Sequence, residues 1–559
     1  MRHFAGFVVA IALVGGFVWR TATAPASPDT ATNNSATHAT EIPPGKLIGP
    51  ANALAKDLKY IGVGGCAAAA CHGGPLTSDP SRLWNCSYTI WATQEPLAAT
   101  ENRAIKTADH ARLIDKHNRS YSVLYEKRSK RIVQLLDHLP DIESAQPQKD
   151  ARCVACHSVP RDPATVPISI LADGVGCELC HGPAKDWIVK HTEKQWIAAY
   201  EKGDYKPLTD LGMIDTRSLL SRARICAGCH VGSPGDATQL TRDVNHDLIA
   251  AGHPRLDFSY HAFLGVMPKH WSDSAARSGP AAMKPGFKTD SESHAEAWAI
   301  GQVVAAEAAL KLLAHRAAVD DKVSSCPWPE FSEYDCYACH HELGSFPSPR
   351  QDAAKKRSQP LGSLRWGSWY FPEVQFLIAS EPFRKWYEDF DQPLNELKAQ
   401  MAAPIATLDR KAIQESATKA AAAMRRMAGE LEHQSFDQDK IDRLLLRAAD
   451  ENFSPSDWDE AAQRLLTLDA LWDAHQFFQS QRGVPSGKDE QAVTDALDAI
   501  RKKLEFPPVD TKNEPSAEVR RLNPHFDSPV RFDAEAIRTE AFKPAFARIH
   551  SLLAGKESK

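Results

Sequence analysis

Beyond about residue 360, apolar side chains recur at three- and four-residue intervals. The pattern persists through RKAIQESATKAAAAMRRMAGELE, DEAAQRLLTLDALWDAHQFFQSQ, KDEQAVTDALDAIRKKLEF and DAEAIRTEAFKPAFARIHSLLAG. Each run is bounded by Asp, Ser, Pro or Gly, so this part of the chain is predicted to form a series of long helices. From Tyr60 to about Gly344 the texture differs: Gly, Pro and short irregular segments interleave, and few apolar runs are long enough for a conventional core. Short helices and loops are expected there. Two longer helices are predicted within it, one from Ile105 to Leu136 with basic residues on its outer face and one from His294 to Ala318. The second carries Trp298, Val303, Ala306 and Leu310 at helical spacing. The fold class is therefore mainly α with little regular sheet. The aromatic stretch RWGSWYFPEVQFLI, with Trp366, Trp369 and Tyr370, is expected to pack the helical region onto the irregular one.

The first residues, MRHFAGFVVAIALVGGFVWR, place Arg2 before an uncharged run from Phe4 to Trp19 that is short for a membrane span and suited to a signal-peptide core. Ala24-Pro-Ala26 offers a small-residue cleavage site, and retention as a signal anchor is the alternative. Both put the mature chain in the periplasm or another extracytoplasmic space. Polar residues rich in Ser, Thr, Asn and Pro follow and predict a flexible tether, in which His38 is solvated. The organisation expected is a signal peptide or anchor over 1–26, a tether over 27–58, a first domain over 59–350 and a helical C-terminal region over 351–559.

A chain of 559 residues is long enough for two or three domains. Its formal charge of -5 gives no polybasic face for nucleic acid. No phosphate-binding loop, nucleophile elbow or HExxH string occurs, which removes the common enzyme classes. Cysteine and histidine, by contrast, are strongly patterned.

The string Cys-x-x-Cys-His occurs at Cys153, Cys156 and His157, at Cys177, Cys180 and His181, at Cys226, Cys229 and His230, and at Cys336, Cys339 and His340. With 12 Cys and 22 His in the chain, random placement would give about 0.01 copies of a string that marks c-type haem attachment. The two thiols bond covalently to the porphyrin and the following imidazole becomes the proximal iron ligand. A wider form stands upstream at Cys66, Cys71 and His72, with four alanines between the cysteines. Five covalent haem c groups are thus predicted, and their flat apolar faces would replace the core side chains that this region lacks. The competing reading is a four-cysteine zinc ribbon at Cys153/Cys156 and Cys177/Cys180. A zinc ribbon gives no reason for a histidine after each pair, and export favours haem. Cys86 and Cys326 remain, either as a disulfide or as two buried thiols.

A second imidazole on each iron would give a six-coordinate centre suited to electron transfer, whereas an open iron would suit substrate chemistry. The candidates are His117 in DKHNRSYSVL, His191 in CHGPAKDWIVKH, and His246 and His253 in VNHDLIAAGHPRL. If that last segment is helical, a seven-residue step puts both imidazoles on one face. His110, His261, His270, His294 and His341 are weaker candidates, and His433, His475, His525 and His550 fit ordinary helix-face histidines.

GVGCELCHGPAKDWIVKH, CAGCHVG, AAGHPRL and MPKHW, with DKHNRSYSVL upstream, resemble the multihaem cytochromes c of the cytochrome c-554 type, over roughly Gly62 to Leu343. The resemblance implies a mainly helical haem domain with closely stacked haems, acting as an electron conduit between a periplasmic oxidoreductase and an acceptor. It also implies that His117, His191 and His253 are non-motif iron ligands. The chain departs from a four-haem pattern in the Cys336 site, in the long segment WATQEPLAATENRAIKTADHARLIDKH and in the helical tail.

Two functions follow. One is a periplasmic electron carrier that exchanges electrons with redox proteins, with no nucleic-acid partner and with a membrane tether if the N-terminal segment is retained. The other is a haem-dependent reductase or oxidase of a small nitrogen or sulfur compound at one open iron, with His261, His270, Arg255 and Tyr260 as nearby acid-base groups. The helical tail would serve as a docking module in either case.

Overall fold

The computed structural model describes residues 59–77, 80–93, 114–202, 204–270, 294–318, 327–336, 339, 364–484, 487–504 and 534–557. The expected signal segment and tether, His38, His110, Cys326, His340, His341 and His525 lie outside the described residues. Among those described there is no strand, only two isolated bridges, Ser233 with Arg242 and Tyr334 with Trp366.

Short helices separated by turns make up the motif-bearing part. They include α1 (Lys127–Leu136), α2 (Ala151–His157), α3 (Cys177–His181), α4 (Leu219–His230), α5 (His246–Ala250) and α6 (Tyr260–Val266). Local side chains start several of them. Asp150 accepts the Arg152 N–H ahead of α2, Ser218 the Ser221 N–H ahead of α4, and Asn245 the Leu248 N–H ahead of α5.

The helix expected over Ile105–Leu136 is not continuous. Among its described residues, from 114 onward, Asp115 accepts the His117 N–H and begins a separate 3-10 turn, Lys116–Arg119, a second such turn covers Ser122–Tyr125, and α1 is the α-helical part. The breaks turn His117 inward. Nor does one helix carry both His246 and His253: α5 ends at Ala250, and Gly252 follows with φ of 113°, a conformation outside the helix.

The remainder is built on α7 (His294–Arg316), with α8 (Pro372–Ile378), α9 (Gln392–Met401), α10 (Arg410–Glu432), α11 (Gln438–Ala448), α12 (Trp458–Gln481), α13 (Lys488–Leu504) and α14 (Lys543–Glu557). Asp409, Asp437 and Asp457 cap α10, α11 and α12. Helix α7 is long and apolar enough to cross a membrane, but 78% of its most apolar window is buried inside the protein. It packs against α4, α6, α10 and α12. Trp298, Leu310 and Leu313 are fully enclosed on it, each such side chain stabilising by roughly 1.5–3 kcal/mol.

One hydrophobic core runs from Leu220 on α4 through α7 to Leu553 on α14, so a motif-bearing helix and the C-terminal helices share it. Polar ties reinforce the junction. The Trp369 indole donates to the Phe258 carbonyl at 3.1 Å, the Tyr370 hydroxyl donates to the Leu256 carbonyl at 2.7 Å, and Arg255 pairs with Asp459 at 2.7 Å. The aromatic segment thus makes the packing contact expected of it.

Candidate haem-binding site

Three motifs are single helical turns. Cys-Val-Ala-Cys-His ends α2, Cys-Glu-Leu-Cys-His is the whole of α3, and Cys-Ala-Gly-Cys-His ends α4. A three-residue step on a helix brings both sulfurs to one face, with the histidine one turn beyond the first. Directly after α3, Gly182 has φ of 86°, and a Cβ there would meet the Gly212 carbonyl oxygen at 2.1 Å. The chain can leave the motif this sharply only with glycine.

The wider first motif is irregular. Asn85 holds it by donating to the Cys71 carbonyl at 2.6 Å and to the Ala69 carbonyl at 3.3 Å. Its neighbour in space is the third motif. Inside that motif the buried carboxylate of Glu178 accepts the backbone N–H groups of Ile61, Gly62 and Ala184, while Asp173 accepts that of Val63. The Cys66 thiol lies beside that of Cys177, and the Cys156 thiol beside that of Cys229. Sites one and three therefore abut, and so do sites two and four.

Each described motif histidine faces a histidine from elsewhere in the chain. Ring centroids lie 6.4 Å apart for His72 and His191, 6.4 Å for His157 and His253, 6.3 Å for His181 and His270, and 6.2 Å for His230 and His117. A bond of about 2.0–2.1 Å from a first-row metal to each imidazole nitrogen, with about 1.1 Å from that nitrogen to its ring centre, gives about 6.4 Å. Four pairs, drawn from different elements, have the spacing of two imidazoles on one metal.

The hydrogen bonds orient these rings consistently. Nδ1 of His72 lies 2.8 Å from the Trp84 carbonyl, that of His157 2.7 Å from Ser120, that of His191 2.5 Å from Ile188 and that of His253 2.7 Å from Pro254. A carbonyl only accepts, so each Nδ1 carries the proton and donates, leaving Nε2 with a free lone pair. His117 donates instead to the Asp115 carboxylate at 2.8 Å. Burial alone would lower its pKa, but Asp115 outweighs this and holds it above the ordinary value. Burial pushes His181 down to about 4, His230 to about 3 and His253 to about 4, and lowers His157, His191 and His270 as well. A neutral imidazole with an unprotonated Nε2 is the form that binds iron.

Beside α3 and α4 lies a cavity of about 620 Å³, whose lining includes Tyr60, Leu179, Ile225, Gly228, Arg161 and Arg242. The Nε atoms of Arg161 and Arg242 are buried in it without a hydrogen-bond partner. The lining is mixed, with Glu178, Asp215 and Glu432 beside the apolar residues, and the two unmatched Nε–H groups are the donors it offers to a group that carries carboxylates.

Residues 106–182 match the family model of cytochrome c554 and c-prime. No curated protein and no solved structure matches the chain. This segment lies within Gly62 to Leu343 and takes in His117 and the second and third motifs. It sits in the N-terminal half of a helical protein, and its family implies covalent haem c and haem-based electron transfer.

The candidates sort as follows. His117, His191 and His253 each face a motif histidine. His270, one of the weaker candidates, does so too, and it stands in MPKHW, one of the segments that carry the resemblance. His246 stands on α5 with its ring 5.7 Å from that of Phe331 and its backbone N–H donated to the Glu330 carboxylate at 2.8 Å, and both partners are close in sequence to Cys336. His261 and His294 face each other. The grouping of His261, His270, Arg255 and Tyr260 over one open iron does not form. His270 faces His181, Arg255 is bound to Asp257 and Asp459, and Tyr260 is buried beneath α7 against Gly301. His475 hydrogen bonds Asp442 at 2.6 Å, His550 the Ala449 carbonyl at 3.0 Å, and His433 is exposed past the end of α10. Cys86 is fully buried and donates to the Leu83 carbonyl.

Proposed function

We propose that the protein is a periplasmic or otherwise extracytoplasmic electron carrier with five covalently attached haem c groups. The attachment residues are Cys66 and Cys71, Cys153 and Cys156, Cys177 and Cys180, Cys226 and Cys229, and Cys336 and Cys339. Proximal ligation falls to His72, His157, His181, His230 and His340. Opposite the first four stand His191, His253, His270 and His117, and His246 is assigned to the Cys336 site from its place beside Phe331 and Glu330. When bound, haem c supplies one-electron chemistry at an iron whose potential the protein sets through axial ligands, burial and hydrogen bonds.

The observation that carries this reading is the pairing of all four described motif histidines with a second imidazole at 6.2–6.4 Å. Two imidazoles fill both axial positions, which leaves no vacancy for substrate at those four sites and favours a carrier over an enzyme. Carbonyls fix the rings of His72, His157, His191 and His253, so little rearrangement accompanies a change of charge. Other redox proteins on the same side of the membrane are the proposed partners, no nucleic-acid partner is proposed for a chain with a formal charge of -5, and a membrane tether is present if the N-terminal segment is retained.

Low-temperature electron paramagnetic resonance of the oxidised protein, together with its haem-to-protein ratio, tests the proposal. Five haems per chain with only low-spin ferric signals are expected. A high-spin signal near one haem in five that shifts with nitrite or nitric oxide would overturn the carrier reading.

A further inference from the structure

His261 and His294 form the one close histidine pair among the described residues that contains no motif histidine. It differs in geometry from the four pairs above. Its ring centroids are 5.2 Å apart, and Nε2 of His261 lies 3.0 Å from Nδ1 of His294. Nitrogens trans on one iron stand about 4 Å apart, so this pair cannot hold a haem iron between its faces. Two ligands in cis positions on an ion with bonds of about 2.1 Å are about 3.0 Å apart at a right angle and about 3.4 Å apart at the tetrahedral angle. A third donor completes the group: a carboxylate oxygen of Asp473 is 3.7 Å from His261 Nε2, and the three donor atoms all lie within 4.8 Å of one another.

We propose that His261, His294 and Asp473 bind one divalent transition-metal ion, distinct from the haem irons. Two imidazoles and one carboxylate on one side of an ion, with the other side open, suit the imidazole-preferring ions of the Zn²⁺ and Fe²⁺ class. The donors come from α6, the first turn of α7 and α12, and packing holds those helices together. Gly301 lets α6 approach closely, since a Cβ there would meet the Tyr260 side chain at 2.6 Å. The Trp298 indole ties α7 to α12 by donating to the Thr467 hydroxyl at 3.0 Å. The surrounding charge favours a cation: Arg501 is paired with Asp469 at 2.7 Å and with Asp498, leaving Asp473 to face His261. The His261 side chain is 13% exposed and that of Asp473 46%, so the group opens to solvent on the carboxylate side and an ion can enter there. Helix α6 also carries Phe263, whose ring centroid is 4.9 Å from that of His230. The helix that supplies His261 therefore also packs on His230.

The test uses the full-length, haem-loaded protein, stripped of loosely held metal with a chelator and titrated with Zn²⁺. Binding is read by calorimetry and by metal analysis after desalting. The expected result is one tight Zn²⁺ per chain, weakened at least about tenfold in Asp473→Asn and His261→Ala, with haem content and spin state unchanged in both. Asp473→Asn changes a half-exposed side chain and decides the matter if His261→Ala does not fold. Absence of tight Zn²⁺ binding in the unaltered protein, or equal binding in Asp473→Asn, would overturn the proposal and leave His261 and His294 as a plain hydrogen-bonded pair. Neither outcome would bear on the haem assignment.

Discussion

The Asp115 carboxylate accepts the Nδ1–H of His117 at 2.8 Å, whereas neutral backbone carbonyls take that role for His72, His157, His191 and His253. A carboxylate partner makes an imidazole a stronger donor to iron and favours the ferric state. Replacing Asp115 by Asn should raise the midpoint potential of one haem, the one paired with His230, on the order of 60 mV for a tenfold loss of preference. Spectroelectrochemical titration resolves this as one component moving while the rest stay.

His270 faces His181 with ring centroids 6.3 Å apart, the same relation as in the other three pairs. His270→Ala should convert one low-spin haem to high spin without changing the haem-to-protein ratio, because the thiols of Cys177 and Cys180 still anchor the group. The same substitution at His261 should leave every haem low-spin. Electron paramagnetic resonance of the two variants separates these outcomes.

Glu178 joins two attachment sites. Its carboxylate, 5% exposed, is the acceptor for the N–H groups of Ile61, Gly62 and Ala184. A buried donor left without a partner costs about 1–3 kcal/mol, so Glu178→Ala should destabilise the protein on the order of 3 kcal/mol. Chemical denaturation should show the loss, with Glu178→Gln intermediate because its amide oxygen can still accept.

In the folded polypeptide burial lowers His181, His230 and His253 to about 4, 3 and 4, and iron held at Nε2 would keep the same nitrogens unprotonated. In an unfolded chain each takes up a proton near pH 6.5. Their depressed values mean that the unfolded state binds more protons at acid pH. Stability is therefore intact above about pH 6.5 and falls progressively as pH drops toward 4. Denaturation midpoints measured at pH 7, 6 and 5 should decline in that order.

Helix α7 is buried on its faces by α4, α6, α10 and α12. A chain ending at residue 360 would expose Trp298, Leu310 and Leu313 to water and should not accumulate as a haem-loaded protein. Recovery of a soluble fragment with full haem content would show instead that the helical tail is an independent module.

Periodicity alone located the four long C-terminal helices, because amphipathic spacing and capping Asp residues are local properties of the chain. Gln392–Met401 and Gln438–Ala448 escaped that reading, being short and set among turns. The break in the helix expected over Ile105–Leu136 depends on Asp115 reaching the His117 N–H, a choice of cap over helix that spacing does not reveal. The attachment motifs were legible because thioether chemistry fixes their order within five or seven residues. The partners of their histidines were only partly so. His270 meets His181 through tertiary packing, and although MPKHW is one of the segments that carry the resemblance, nothing in those five residues says which motif histidine the ring will meet.

The measurement that bears most directly on the whole account is the intact mass of the exported, mature protein, recorded with its visible spectrum. The expected mass is that of the mature polypeptide plus five haem groups, retained under denaturing conditions, and the spectrum should show a strong Soret band. A bare polypeptide mass, or a spectrum without that band, would contradict it.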